Sequence, residues 1–170
     1  WRKLQRLMSI LNLTYFEIFD IDIDISIDMD ELENKYLSLQ KKFHPDKYAS
    51  ASNIEKTMAA RISTHINDGY KTLSSLVLRV DYILKINNFS VSDHQTFKNS
   101  NFLKEQLEFS DKIERTNKNN FPIIREEINR KILDIIIEMK LNLVNQEFDT
   151  LYDNISMIKF YEKNINQISE

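Results

Sequence analysis

The side chains best suited to chemistry in this sequence lie in one tetrapeptide, His44-Pro45-Asp46-Lys47. An imidazole beside a carboxylate is a common acid–base pair, but a hydrolase also needs a nucleophile or a metal ligand nearby. The other histidines, His65 and His94, lie in separate segments, so no histidine-based catalytic set is predicted. Proline fixes the backbone and aspartate bonds neighbouring backbone groups, which favours a rigid turn at a helix end. Such a turn either simply ends a helix or presents fixed polar groups to another protein.

A second candidate is the acidic segment from Asp20 to Glu31. Counted from Asp20, its carboxylates fall at positions 3, 5, 9 and 12, which is the ligand spacing of an EF-hand calcium loop. Position 6 of such a loop is glycine, whereas this chain has Ile25, a β-branched residue poorly suited to positive φ. Alternating isoleucines instead predict an extended segment that buries one edge: Ile21, Ile23, Ile25 and Ile27. We therefore expect no metal site here.

Capping patterns and apolar spacing predict helices throughout the first half of the chain. A short helix is expected around 14–19. Asp28, with Glu31 completing a capping box, starts a second helix that ends near Phe43, before the His-Pro bond. A further capping box opens a longer helix at Ser52. Its predicted apolar face consists of Ile54, Met58, Ile62, Ile66 and Leu73.

Gly69 lies on the same face as those apolar residues. Glycine in a helix interior costs about 1 kcal/mol relative to alanine, and its missing side chain allows a neighbouring helix to approach closely. One more short helix is expected over 76–86.

The second half of the chain predicts three longer helices, over 102–118, 121–144 and 147–168. Pro122 takes a favoured first-turn position in the middle helix. The apolar stripe of that helix is Ile124, Ile128, Ile132, Ile135, Met139 and Leu143; that of the last helix is Phe148, Leu151, Ile155, Ile158 and Ile165. Short connections between long helices predict an antiparallel three-helix bundle.

The composition supports an all-α fold class. The 170 residues include one glycine, two prolines and no cysteine, which disfavours hairpin-rich β folds and excludes glycine-rich phosphate loops, disulfides and thiolate chemistry. With 23 basic against 26 acidic residues, the chain lacks the basic excess typical of nucleic-acid binders. No apolar run approaches the ~18 residues of a membrane span. We therefore expect neither nucleic acid nor membrane as a partner, and leave weak self-association open.

The segment over 1–13 has three basic residues, no acid, and apolar residues at helical spacing. It fits a trimmed targeting segment, a helix lying on a surface, or a helix packed on the body of the protein. We expect the last of these.

The order of these motifs resembles the J-domain of DnaJ-type co-chaperones. The matching segments are TYFEIF at 14–19, FHPDKYA at 43–49, INDGYKTL at 66–73 and RVDYIL at 79–84. Beyond a polar stretch, Phe102 to Glu108 resembles the Phe-Leu-x-Glu-Gln-Leu-Glu signature of HscB-type co-chaperones. The resemblance covers 14–169 and leaves 1–13 outside.

This resemblance implies an N-terminal extension over 1–13 and a J-domain over 14–87, built on an antiparallel helical hairpin with small flanking helices. A linker over 88–101 and an antiparallel three-helix bundle over 102–170 would follow. It also implies a protein that is not an enzyme, and no cofactor. The cysteine-based zinc segment that eukaryotic members place upstream is absent from this sequence, so we expect the bacterial cytoplasm in preference to the mitochondrial matrix.

The first implied partner is a DnaK/HscA-type ATPase chaperone, whose ATP hydrolysis the J-domain would stimulate. His44, Pro45 and Asp46 match the family triad one for one. A basic face would meet an acidic chaperone surface, where such charges mainly raise the association rate: Lys35, Lys41, Lys42 and Lys47. Lysines late in a helix also complement its dipole, so the alternative interpretation is that these residues stabilise the helix.

The second implied partner is the iron–sulfur scaffold protein IscU, held by the bundle. At about 100° per residue, Leu103 and Leu107 point away from Phe102 and its apolar neighbours. The scaffold-binding residues implied are Leu103, Leu107, Glu108, Asp111 and Phe160. Packing of the two leucines against another helix is the alternative.

Lys104 stands where the family commonly has methionine, and Arg115 where it commonly has an acid, which points to a co-varied scaffold surface or to weaker binding. A J-domain co-chaperone that delivers an unrelated client is the competing function.

Overall fold

The computed structural model describes residues 2–89 and 100–169. Residues 90–99, which make up most of the expected linker, lie outside the described residues. Within the described ranges the chain forms eight α-helices and two 3-10 turns, with no strand. The all-α fold class is therefore confirmed. Among those residues no helix is both long and apolar enough to cross a bilayer.

The chain divides into two compact units, Trp1–Ile86 and Asn87–Glu170. The helices of the first unit are α1 (Arg2–Ile10), α2 (Tyr15–Phe19), α3 (Met29–Phe43), α4 (Asn53–Ser74) and α5 (Leu76–Ile86). Those of the second are α6 (Ser100–Arg115), α7 (Phe121–Val144) and α8 (Phe148–Gln167). The 3-10 turns are Pro45–Tyr48 and Lys118–Asn120.

Helices α3 and α4 pack against each other as the central hairpin of the first unit. Its fully buried apolar residues include Leu32, Ile62, Ile66 and Leu73. Across the hairpin the rings of Tyr36 and Tyr70 stack with centroids 4.2 Å apart. The Tyr36 hydroxyl and the Gln40 amide both donate to the side-chain oxygen of Asn67, at 3.1 and 2.5 Å. These contacts fix the register of the two helices.

Side-chain caps define where these helices begin. Ser52 and Glu55 form the expected reciprocal capping box at the start of α4. Asp28 accepts hydrogen bonds from the backbone N–H groups of Asp30 and Glu31 at the start of α3. The prediction that Glu31 completes a capping box with Asp28 is wrong, because the Glu31 carboxylate lies 2.6 Å from Lys35 Nζ instead.

Two apolar residues of the first unit do not lie where their spacing predicts. Ile54 is 60% exposed because it lies in the first turn of α4, just after the loop. Ile23 is 49% exposed whereas Ile25 is fully buried. The backbone N–H of Ser26 donates to Asp24 Oδ1 at 2.8 Å, and this local turn breaks the regular alternation.

The short helices α1, α2 and α5 each also pack against α4. Helix α1 packs on α4 with Leu7 buried, which confirms a helix packed on the body of the unit. Helix α5 contributes Arg79, which is 5% exposed and donates to the carbonyl oxygens of Leu73 and Ile25 at 2.7 and 2.5 Å. Arg79 thereby ties α5 to the segment that precedes α3.

The second unit is a three-helix bundle whose polar contacts give its helix directions. Glu105 and Lys112 of α6 pair with Lys131 and Glu127 of α7, so the residue numbers run in opposite senses. Likewise Asn142 donates to Asn154 at 2.7 Å, and Arg125 donates to Ser169 at 3.0 Å. Both helix pairs are therefore antiparallel, as predicted. Helix α6 ends at Arg115, before the expected residue 118.

Candidate functional site

The His44–Asp46 turn follows directly from the end of α3. Phe43, the last residue of α3, is 3% exposed and anchors the turn in the core. His44 leaves the helical conformation, with φ −58° and ψ 131°, as expected for the residue before a proline. The next four residues form a 3-10 turn, in which the Lys47 N–H donates to the His44 carbonyl at 3.0 Å. A backbone hydrogen bond therefore closes the turn that carries the motif.

Side-chain contacts orient the imidazole within this turn. His44 Nδ1 accepts a hydrogen bond from the Asp46 backbone N–H at 3.3 Å and lies 3.4 Å from Asp46 Oδ2. A ring that accepts at Nδ1 carries its proton on Nε2 when neutral. The side chains of His44 and Asp46 are 55% and 90% exposed. Both side chains therefore lie on an open surface rather than inside an enclosed cavity.

The four lysines expected around this turn have different surroundings. Lys41 and Lys42 lie exposed in the last turn of α3, and Lys47 lies exposed in the 3-10 turn. Lys42 Nζ lies 5.3 Å from the centroid of the Phe43 ring. Lys35, in contrast, donates to the carbonyl of Asp20 at 2.5 Å and pairs with Glu31. Its ammonium is already engaged within the molecule.

Helix α6 presents two chemically distinct faces. Phe102, Phe109 and Ile113 are 2–5% exposed and pack into the bundle. Leu103 and Leu107 are 50% and 72% exposed, so neither packs beneath another helix. The signature segment from Phe102 to Glu108 therefore alternates between residues that anchor the helix and residues that it displays.

Glu105, within that signature, joins all three helices of the bundle. Its Oε1 accepts a hydrogen bond from the Tyr161 hydroxyl of α8 at 2.8 Å and another from Lys131 Nζ of α7. Burial alone would raise the pKa of Glu105, but these two bonds and the Lys131 charge outweigh it and lower the pKa below its ordinary value. Burial, with the bond to Glu105, raises the pKa of Tyr161. Sequence reasoning missed the roles of Lys131 and Tyr161 because they depend on contacts between helices.

Phe160 lies beside this cluster, half-buried at the surface of α8. Its ring makes edge contacts with Phe102 at 5.6 Å and with Tyr161 at 5.3 Å between centroids. Phe160 thus contacts the inner face of α6 at the start of the signature segment.

The two acidic residues expected to bind the scaffold are paired along α6. Glu108 lies 3.7 Å from Lys104, and Asp111 lies 3.4 Å from Arg115. All four side chains are at least 65% exposed. The two residues that depart from the family pattern are therefore the partners of these acids, which the i, i+4 spacing in the sequence already indicates.

The acidic segment from Asp20 to Glu31 has structural roles. Ile25, at the position that a calcium loop gives to glycine, is fully buried, and Asp28 caps α3. Over the described ranges, no group of three or more His, Cys, Asp or Glu side chains is arranged to hold a metal ion.

Sequence comparisons find close matches among bacterial co-chaperones, although no family model matches the chain. A co-chaperone protein HscB homolog from Neisseria meningitidis is 31% identical over 161 residues, which cover 91% of this chain and 96% of the relative. A homolog of the same name from Psychromonas ingrahamii is 28% identical over 155 residues, 89% of this chain and 92% of the relative.

Solved structures agree with these matches. The chaperone HscB from Vibrio cholerae superposes with a TM-score of 0.78 at 26% identity, over 92% of this chain and 96% of that one. The human co-chaperone protein HscB gives a TM-score of 0.82 at 22% identity, over 92% of this chain and 81% of that one, a likeness of fold. From its motifs, its fold and these relatives, the chain belongs to the HscB family of co-chaperones.

Proposed function

We propose that this protein delivers an iron–sulfur scaffold protein of the IscU type to a DnaK/HscA-type ATPase chaperone and stimulates ATP hydrolysis there. The observation that carries the proposal is the exposed, backbone-fixed turn of His44 and Asp46 at the basic end of α3. The protein itself performs no covalent step, since it couples two partners and acts through their binding free energies. A bacterial cytoplasmic location fits the bacterial relatives.

In the chaperone complex, the exposed ammonium groups of Lys41, Lys42 and Lys47 would face acidic residues of the ATPase. Exposed charges of this kind raise the association rate and fix the docking register more than they raise affinity. His44 and Asp46 would make the contacts that favour the hydrolysing state of the chaperone. Lys35 contributes less, because docking would first have to break its bonds to Asp20 and Glu31.

Substitution of the turn tests this half of the proposal. Asp46→Asn keeps the shape of the side chain but removes its charge, and we expect it to abolish stimulation of the chaperone's ATPase. Lys71→Asn, on the exposed surface of α4, is the control and should stimulate normally. Full stimulation by Asp46→Asn would contradict the proposed role of the turn.

The scaffold would bind the outer face of α6, where Leu103 and Leu107 supply apolar surface within a charged rim. Apolar anchors surrounded by polar groups are the usual composition of small protein-binding patches. Phe160, which packs on Phe102 with part of its ring still exposed, would extend the patch from α8. Glu108 and Asp111 would engage the scaffold together with their basic neighbours, so the rim offers both signs of charge.

Calorimetric titration of the full chain with the scaffold protein tests this half. Leu107→Ala is the most informative variant because the side chain is 72% exposed, so its truncation leaves the core intact. We expect a loss of affinity of about tenfold or more, as for a central interface residue. Ile54→Ala, similarly exposed in the other unit, should bind normally.

The outcomes also separate the two candidate clients. No scaffold binding by the wild-type chain, together with normal ATPase stimulation, would favour delivery of an unrelated client. Equal scaffold binding by the wild type and by both Leu107→Ala and Phe160→Ala would instead place the scaffold on another surface.

A further inference from the structure

Helix α7 carries a second, unexplained apolar surface. Leu133, Ile137, Leu141 and Val144 are 60, 62, 61 and 79% exposed. They recur at spacings of four, four and three residues, so they form one stripe along the C-terminal half of the helix. We call this set the α7 outer stripe.

The α7 outer stripe lies opposite the side of α7 that packs into the bundle. At about 100° per residue, its centre is roughly 180° from the direction of Ile124, Ile128, Ile135 and Met139. Those four residues are at most 9% exposed. The bundle core therefore does not require apolar residues on the outer stripe, and a surface helix normally carries polar residues there.

The size of the stripe is that of a small interface. Four large side chains exposed to this degree present on the order of 400 Å² of contiguous apolar surface, the size at which a patch on a monomer is often functional. A standard interface buries about 800 Å² on each partner, of which roughly two thirds is apolar at a homodimer contact. The stripe thus supports a weak, reversible contact.

Charges of opposite sign flank the two edges of the stripe. Asp134 and Glu138 lie along one edge, and Lys140 lies along the other. All three side chains are exposed. Across residues 2–89 and 100–169 no ion pair engages any of them. The stripe is therefore complementary to a partner that sets a basic edge against its acidic edge and an acidic edge against its basic edge.

We infer that the occupant of the α7 outer stripe is the stripe of a second copy of this chain, with the two α7 helices side by side and parallel. A two-fold axis along the helices brings the acidic edge of each copy against the basic edge of the other. Glu138 of one copy and Lys140 of the other then lie only about 3 Å apart along the helix axis. An antiparallel pair would place acidic edge against acidic edge. This inference is independent of the proposed chaperone and scaffold contacts.

Sedimentation equilibrium of the full chain, over concentrations from micromolar to near millimolar, tests whether the dimer forms. We expect reversible dimerisation with a dissociation constant on the order of 100 μM. Ile137→Lys, which introduces a charge at the centre of the stripe, should weaken the dimer at least tenfold. Ile54→Lys, an equally exposed isoleucine on α4, should leave it unchanged. A chain that stays monomeric throughout, or a dimer unaffected by Ile137→Lys, would overturn the inference.

Charge exchange tests the pairing of the edges. Lys140→Glu alone, or Asp134→Lys with Glu138→Lys, should weaken the dimer by placing like charges in contact. The triple variant exchanges both edges and should restore dimerisation. Failure of the triple variant to recover, when its circular dichroism matches the wild type, would contradict the proposed edge pairing.

Disulfide crosslinking tests the parallel arrangement, because the chain has no native cysteine. Val144→Cys should form a disulfide with its own copy under mild oxidation, since both residues lie near the two-fold axis. In an antiparallel pair centred on the stripe, the two positions would be roughly 16 Å apart along the helices, beyond the reach of a disulfide. Glu162→Cys, exposed on α8, measures random collision. Crosslinking of Val144→Cys no faster than this control would contradict the parallel pair.

Discussion

Gly69 sets how closely α2 approaches α4. A Cβ atom at this position would lie 2.9 Å from Tyr15 Cδ1 and 3.0 Å from Phe19 Cε2. Tyr15 has little room to move away, because its ring stacks on Tyr82 at 4.5 Å and its backbone N–H bonds the Tyr82 hydroxyl at 3.0 Å. The close approach foreseen from the sequence is confirmed, and the helix that approaches is α2.

Gly69→Ala therefore has two opposing effects on stability, one from helix propensity and one from packing. The substitution gains about 1 kcal/mol of intrinsic helix stability, but the overpacked ring contacts cost about 1–3 kcal/mol. We expect the free energy of unfolding to fall, measured by urea denaturation. Lys71→Ala, exposed on the same helix, should change it by less than about 0.5 kcal/mol. A more stable Gly69→Ala variant would show that α2 can shift freely.

The conformation of a residue follows from the sequence where local chain geometry decides it. The turn at His44 follows from the proline after it, and the Ser52 cap follows from residues within one helical turn. The hydrogen bond from Lys35 to the Asp20 carbonyl joins residues 15 positions apart. The spacing of apolar and charged residues does not reveal such a contact.

One face of α6 packs into the bundle, and the opposite face is exposed to solvent. Ile113 is 4% exposed, whereas Leu107, on the other face, is 72% exposed. We expect Ile113→Ala to reduce the free energy of unfolding by about 2–4 kcal/mol. Leu107→Ala should reduce it by no more than about 0.5 kcal/mol. Thermal or urea denaturation compares the two variants, and equal losses would contradict the assignment of the faces.

The Glu105 cluster makes the bundle sensitive to acid. Because the folded-state pKa of Glu105 is lowered, its carboxylate contributes stability above the ordinary glutamate range. That contribution is lost as the pH falls through the folded-state pKa. We expect Glu105→Gln to destabilise the protein at pH 7 and to differ less from the wild type near pH 3. Urea denaturation at both pH values measures this, and a difference independent of pH would contradict it.

The sequence predicted the helices of the bundle well, because each long helix carries its own apolar stripe. Ile124, Ile128, Ile135 and Met139 are all buried as the 3.6-residue period requires. The same stripe does not reveal the polar contacts between helices, such as the Asn142–Asn154 pair or the Glu105 cluster. Those depend on helix register, which no single-helix pattern encodes.

The proposed contact between this protein and the chaperone is electrostatic at its rim. Exposed charges are screened over about 10 Å at 0.1 M salt. We therefore expect the association rate with the chaperone to fall as salt rises, measured by stopped-flow or surface plasmon resonance. The double variant Lys41→Ala and Lys42→Ala should associate more slowly and with a shallower salt dependence. An unchanged salt slope would exclude these lysines from the contact.

The proposed coupling of the two partners is tested by the chaperone's ATPase rate in single turnover, with the scaffold protein present and absent. The wild-type chain should stimulate hydrolysis, and the scaffold should increase that stimulation further. His44→Gln should abolish stimulation while keeping the circular dichroism spectrum and scaffold affinity of the wild type, because the imidazole is exposed and outside the core. Undiminished stimulation by a folded His44→Gln variant would show that the His44 turn does not activate the chaperone.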